Sequence, residues 1–300
     1  ATLATMNRGD LPTIARAIEG QTPERREVII HRAHRIPYDP AIRLAGARLV
    51  EIGNALQTFP WELEAAINPA TAAVLFVAGE HVAHGALPLA QTVAIAHERG
   101  VPVIVDAAAQ LPPAENLWRF TRERGVDLAV FSGGKDLRGP QASGLILGAA
   151  EWIEACRVNG SPHQRLARPM KAGKEEMAGL LIAVERYLAL DHAAQSAWWE
   201  ATVQAWIDAV AGLPGVHALR QFPDEAGQPA PRARIELDPA VAGMTGEELH
   251  ARLWEGEPGI AVAKEGPNAI SLSPTVLDGD DPAIVGRRLR EALTPAPVAV

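Results

Sequence analysis

A lysine and an aspartate 29 positions apart carry most of the chemistry visible in this sequence. Lys135 stands in Phe131-Ser-Gly-Gly-Lys-Asp-Leu-Arg-Gly-Pro-Gln141, a glycine-rich stretch just past an apolar run. Ligands of open α/β sheets gather at the carboxyl ends of the strands, so a lysine there is placed to react. An amine kept partly neutral by burial or by a neighbouring cation can form a Schiff base, and Arg138 is such a cation. Ser132, with the Gly133 and Gly134 amides, can hold a phosphate. The plain alternative is a surface loop whose lysine is solvated. A P-loop does not fit, because the G-x-x-x-x-G-K-S/T spacing is absent.

Asp106 closes the apolar run Val101-Pro-Val-Ile-Val105 and is followed by Ala107, Ala108, Ala109 and Gln110. A buried aspartate needs a cationic or hydrogen-bonding partner, and the protonated pyridine nitrogen of pyridoxal phosphate is one. The small residues after it leave room for a flat ring, and the interval to Lys135 accommodates one helix and one strand. Taken alone, Asp106 reads as well as a helix N-cap. His81 and His84 follow the run Ala73–Val77 and can touch substrate or move protons. With Glu80 they make a weak metal set, and the plain reading is surface histidines. Trp198, Trp199 and Trp206 sit at near-helical spacing, which suits core packing or a dimer contact. Cys156 reads as a small buried residue.

The elements that must position these groups follow an alternating rhythm. Strands are expected at Glu27–Ile30, Arg48–Ile52, Ala73–Val77, Val101–Val105, Asp127–Phe131 and Gly144–Leu147. Helices are expected at Pro40–Ala47, Pro88–Arg99 and Leu117–Arg124. Short apolar strands alternating with helices predict an α/β fold with a mostly parallel sheet covered on both faces. Long helices are expected at Lys174–Leu190 and Ala194–Ala211. After Gly212 come short strands (Val216–Gln221, Ala233–Leu237, Ile260–Lys264, Ala269–Leu272) and helices (Gly246–Trp254, Pro282–Leu293), the pattern of a smaller α+β domain. Arg157–Arg168 reads as a linker, and the Pro/Ala-rich tail Thr294–Val300 is expected to fray.

The whole chain sets outer limits. Its 300 residues, 48% hydrophobic and 21% charged with mean hydropathy 0.00, suit a globular protein of one or two domains. With 28 basic and 36 acidic residues, the net charge of −8 argues against a nucleic-acid partner. A lone cysteine excludes an internal disulfide framework or a four-thiolate zinc site and leads us to expect a cytoplasmic protein. No apolar run approaches the roughly 18 residues of a membrane span.

Two motifs, VDAAAQLPP and FSGGKDLRGPQ, together resemble the selenocysteine-synthase-like branch of the fold type I pyridoxal-phosphate enzymes. That branch includes L-seryl-tRNA(Sec) selenium transferase and the D-glucosaminate-6-phosphate ammonia-lyase-like proteins. His34-Arg35 through Tyr38-Asp39, Ala41-Ile-Arg43, Ala45-Gly-Ala47, Leu49-Val-Glu-Ile-Gly53 and Arg168-Pro-Met-Lys-Ala-Gly-Lys-Glu175 agree with it. The resemblance runs from near residue 27 to about 190 and continues weakly beyond. It implies pyridoxal 5'-phosphate as cofactor, Lys135 as the Schiff-base lysine and Asp106 as the pyridinium partner. It implies that His34 stacks on the cofactor ring, that Ala108 packs on the opposite face and that Gln110 reaches the phenolic oxygen. Arg35, Arg138, Arg168, Lys171, Lys174 and His81 become candidates for an anionic substrate, with ordinary surface charge as the alternative for the basic residues. Lys264 stands where many relatives of this fold hold a substrate arginine.

Residues 1–168 are thus expected to form a cofactor domain without its usual beginning, since the family's phosphate-binding glycine- or serine-rich loop has no counterpart after Ala1. Residues 169–300 would supply a linking helix and a small domain. The expected activity is α,β-elimination with ammonia release from a hydroxylated amino acid or a D-glucosaminate-6-phosphate-like acid, in a homodimer acting on a small anionic substrate, without nucleic acid or membrane. The alternatives are racemisation, aldol cleavage, β-replacement on a seryl group, or a catalytically silent binding protein.

Overall fold

A computed structural model describes residues 1–224 and 226–294. It has two compact units, the first spanning Ala1–Ala189 with Ala226 and Gly227, the second Leu190–Asp224 and the chain from Gln228 on.

The first unit is built on six strands: β1 (Glu27–His31), β2 (Arg48–Ile52), β3 (Thr71–Val77), β4 (Val103–Asp106), β5 (Leu128–Ser132) and β6 (Gly144–Gly148). Their order is β2-β1-β3-β4-β5-β6. All neighbours run parallel except the β5–β6 pair. Every residue of β3 is buried, as befits a parallel strand covered on both faces. Val28, Ile30, Leu75, Ile104 and Leu128 join Ala4, Met6, Trp152 and Ala155 in one core cluster. The expected α/β fold with a mostly parallel sheet is therefore present.

The second unit holds an antiparallel sheet of β7 (Val216–Gln221), β8 (Arg232–Leu237), β9 (Ala263–Lys264) and β10 (Ala269–Leu272), in the order β7-β8-β10-β9. Alternate residues of β8 are buried, and they join the helices His192–Val210, Gly246–Trp254 and Asp281–Leu293 in one core. Trp206 is a core residue, 1% exposed, and its indole donates to the Pro282 carbonyl at 2.8 Å. Trp199 is buried as well.

Several boundaries differ from the sequence reading. The helix from Pro40 stops at Leu44, because Gly46 turns the chain at φ +87°. Val101 and Pro102 precede β4, which extends instead to Asp106. The helix expected at Leu117–Arg124 begins at Asn116 and becomes a wide π-type turn over Arg119–Glu123. Six α-helices among the described residues lacked a clear signal in the sequence: Thr2–Asn7, Leu11–Ile18, Pro60–Ala66, Glu80–Ala83, Pro239–Ala242 and Ala150–Asn159. The last takes up the first three residues of the expected linker. The two units divide after Ala189 rather than at residue 168, because the helix Lys174–Ala189 packs on the loop that carries Lys135. Of the tail expected to fray, residues 295–300 lie outside the described residues.

Candidate active site

Asp106 reaches its position because β4 runs between β3 and β5 and ends there. The chain beyond is held by neighbouring strand ends: Ala78 N–H donates to the Asp106 carbonyl at 2.9 Å, and Ala107 N–H to the Val130 carbonyl at 2.9 Å. The Asp106 carboxylate accepts a hydrogen bond from Ala108 N–H at 3.0 Å. That bond closes a turn and caps no helix, since the next helix begins at Asn116, and it leaves the second carboxylate oxygen for another partner.

The Lys135 loop leaves β5 and folds back on itself. Gly133 N–H donates to the Ser143 carbonyl at 3.0 Å, Gly139 N–H to the Gly133 carbonyl at 2.8 Å, and Arg138 N–H to the Lys135 carbonyl at 2.8 Å. Arg138 has φ +54°, a left-handed conformation that side-chain-bearing residues seldom adopt. Gly134 is required by contact, since a Cβ there would lie 2.6 Å from Gln141 Oε1.

These two elements meet on one cavity of about 610 Å³. Asp106, Lys135, Ala108, Ser132 and His81 line it, as do Ile36, Pro37, Tyr38, Asp39, Ala41 and Ile42 from the segment after β1, and Leu75, Val77, Ile104 and Val130 from the strands. The volume lies within the usual range for small-molecule sites. The wall is mainly apolar, and Lys135 is the cation among its described residues.

The other expected site residues lie elsewhere. His34 is fully buried in the core. Its ring centroid lies 4.8 Å from that of His31 and 4.4 Å from that of Phe76, and its Nδ1 accepts from Val77 N–H at 3.3 Å. Burial pushes His34 down to about 3 and His31 to about 4, so both are neutral. Neither histidine is among the residues that line the cavity.

Gln110 Nε2 donates to the Ala109 and Ala226 carbonyls, both at 3.1 Å, and the side chain is not on the wall. The Gly133 amide donates to the Ser143 carbonyl. Arg35 is held by Asp39 and by Glu51, the latter at 2.6 Å, and these carboxylates raise its pKa. Arg168 donates to Ser161 Oγ at 2.8 Å, while Lys171 and Lys174 are exposed. None of Arg35, Arg138, Arg168, Lys171 and Lys174 lines the cavity. His81 does, and His84 does not. Among the described residues no group of three His, Cys, Asp or Glu side chains could hold a metal ion, and no helix is long and apolar enough to cross a membrane.

Tyr38 is one of the wall residues that the sequence reading did not place in the site. Its side chain is 71% exposed at the cavity mouth. The available signal was an aromatic ring in a loop bracketed by Pro37 and Pro40.

With this geometry in place, comparison with known proteins is informative. The model of the SelA family, L-seryl-tRNA selenium transferase, matches residues 11–199. D-glucosaminate-6-phosphate ammonia lyase of Salmonella typhimurium is 34% identical over 299 residues, 97% of this chain and 77% of the relative. A 5'-C-glycyluridine monooxygenase-decarboxylase from a Streptomyces species is 34% identical over 279 residues, 89% of this chain and 67% of the relative. A solved structure of D-glucosaminate-6-phosphate ammonia-lyase superposes with a TM-score of 0.80 at 34% identity, covering 97% of this chain and 77% of that one. The chain belongs to the SelA, L-seryl-tRNA selenium transferase, family, and its sheet is that of the fold type I enzymes the motifs led us to expect.

Proposed function

We propose that this protein is a pyridoxal-phosphate-dependent lyase that eliminates across the α and β carbons of a hydroxylated amino acid or amino-sugar acid and releases ammonia. The observation that carries the reading is the convergence of Lys135 and Asp106 on one cavity with Ala108 beside them. That wall fits the cofactor: an amine for its aldehyde, a carboxylate for its ring nitrogen and small side chains against a flat ring. When bound, pyridoxal phosphate supplies an electron sink for the carbanion at the α carbon.

The chain's own groups then have defined tasks. The Asp106 oxygen not engaged by Ala108 N–H would keep a proton on the ring nitrogen. Lys135 would hold the cofactor through its amine, and the same amine would serve as the base for the substrate's α-proton. The β-hydroxyl leaves as water, and hydrolysis yields a 2-keto acid and ammonia. His81 and Ser132 stand on the wall to contact substrate. The apolar strand side chains keep water away from the inner part of the cavity. The relative that acts as D-glucosaminate-6-phosphate ammonia lyase supports a phosphorylated amino-sugar acid as the substrate class. The net charge of −8 favours a small molecule over a tRNA. We assign the protein to the cytoplasm, on its single cysteine, and to a homodimer.

The family model favours a second reading, β-replacement on a seryl substrate. Incubation of the cofactor-loaded protein with D- and L-hydroxy amino acids and amino-sugar acids separates the two. Ammonia and a 2-keto acid in equal amounts are expected. Amine transfer to the cofactor without ammonia, or product only when a replacing nucleophile is added, would overturn the lyase assignment.

A further inference from the structure

We infer that Tyr38 is a specificity-determining residue, which selects substrates whose hydroxylated carbon chain extends beyond the β carbon; the inference rests on the reading of Lys135 and Asp106 as the pair that holds the cofactor. The chain after β1 makes a tight turn, in which Asp39 N–H donates to the Ile36 carbonyl at 3.1 Å. Pro37 takes the first central position of that turn, where proline is favoured, and Tyr38 takes the second. The Tyr38 carbonyl accepts from Ala41 N–H at 3.1 Å, and Pro40 opens the helix Pro40–Leu44 directly behind it. The backbone of Tyr38 is therefore fixed on both sides, and the turn lines the cavity from Ile36 to Asp39.

Ion pairs tie the turn to the sheet. The buried Asp39 carboxylate accepts from Arg35 Nε and from Ile36 N–H, the latter at 3.5 Å. Arg35 also donates to Glu51 at 2.6 Å, and Glu51 stands on β2 opposite Ile30 of β1. Arg32 approaches the same carboxylate at 3.1 Å. The turn is thus ordered in advance while the Tyr38 ring stays 71% exposed, so a ligand meets the ring without having to order the loop. Phe131, the other phenyl-bearing residue of the described wall, is 1% exposed and belongs to the core. A phenol offers an apolar face and a polar tip. The C–H groups of a polyhydroxylated chain pack on such a face, and its hydroxyls bond to the tip. A three-carbon hydroxy amino acid has nothing beyond its β carbon to set against the ring, whereas an amino-sugar acid does.

The test is calorimetric binding to the full chain, with pyridoxal phosphate added and again without it. Gluconate, a six-carbon acid hydroxylated along its chain, and glycerate, its three-carbon counterpart, are the probes. The wild-type protein is expected to bind gluconate more tightly. Tyr38→Ala is expected to weaken gluconate by about three- to tenfold and to leave glycerate as it was. Tyr38→Phe, which keeps the apolar face, should retain part of the preference. Arg35→Gln, which cuts the ties to Asp39 and Glu51, should reduce the preference with Tyr38 still in place. Equal binding of the two acids by the wild-type protein, or a preference that survives Tyr38→Ala, would overturn the inference. So would tighter binding of uridine than of gluconate that Tyr38→Ala removes, since the ring would then select a base. If Tyr38→Ala does not fold, Tyr38→Leu decides by the same comparison. If the wild-type protein forms no visible Schiff-base band with pyridoxal phosphate, the lyase reading fails, and the comparison without cofactor still decides the role of Tyr38.

Discussion

At the scale of single residues, the site rests on an amine and a carboxylate with unlike surroundings. Lys135 is exposed on a loop, whereas Asp106 ends a buried strand. Replacing Asp106 by Asn keeps the shape and removes the charge that holds a ring proton. Ammonia release should fall about 10–100-fold, the scale of a charged hydrogen bond worth roughly 1.5–3 kcal/mol, with the Schiff-base band retained. Unchanged turnover would show that the Asp106 carboxylate serves only the turn closed by Ala108 N–H. His31 and His34 make a separate prediction. Their folded pKa values, about 4 and about 3, lie below the ordinary 6.5. Above pH 6.5 neither folded nor unfolded protein binds these protons, so the stability is complete. As pH falls, the unfolded chain takes up protons that the folded protein refuses, at a cost of up to about 1.4 kcal/mol per pH unit for each histidine. Denaturant titrations at pH 7, 6 and 5 should show that loss, and His31→Phe should lessen its slope. An identical slope in the variant would mean that other groups govern acid sensitivity.

At the scale of elements, chemistry was more legible in the sequence than local geometry. Lys135 and Asp106 stood out because lysine in a glycine-rich turn and aspartate at the end of a buried strand are unusual placements, and the parallel sheet followed from the apolar runs themselves. The surroundings of His34 were not legible, because the stacking role came from the family resemblance and not from the residues beside it. The fold places it against Phe76 and His31 instead, contacts that no local pattern reveals. For Arg35 the partner Asp39 lies four residues on, but the second partner, Glu51, comes near only when β1 and β2 pair. The short helices Thr2–Asn7 and Pro60–Ala66 were missed because they owe more to tertiary packing than to periodicity, with Ala4 and Leu63 both fully buried. Within the lysine loop, Gly134→Ala would set a methyl group 2.6 Å from Gln141 Oε1 and 2.8 Å from its Cα. That variant should lose about 1–3 kcal/mol, visible as a lower melting temperature, together with weaker cofactor retention. A protein of unchanged stability and retention would show that the loop gives way freely.

At the scale of the whole molecule, charge and cavity chemistry point the same way. The net charge of −8 and a wall whose described cation is Lys135 suit a small amino acid derivative better than a nucleic-acid backbone. Unfractionated tRNA should therefore bind weakly at moderate ionic strength, and filter-binding titrations over a range of salt check this. Tight binding that collapses as salt rises would favour the seryl-tRNA reading. The central claim, that Lys135 is the amine that takes up pyridoxal phosphate, is tested most directly by borohydride reduction of the loaded protein followed by peptide mass mapping. The account predicts one phosphopyridoxyl group per chain, on Lys135, and none in Lys135→Ala. A stable adduct on another lysine, or none at all in the wild-type protein, would contradict it.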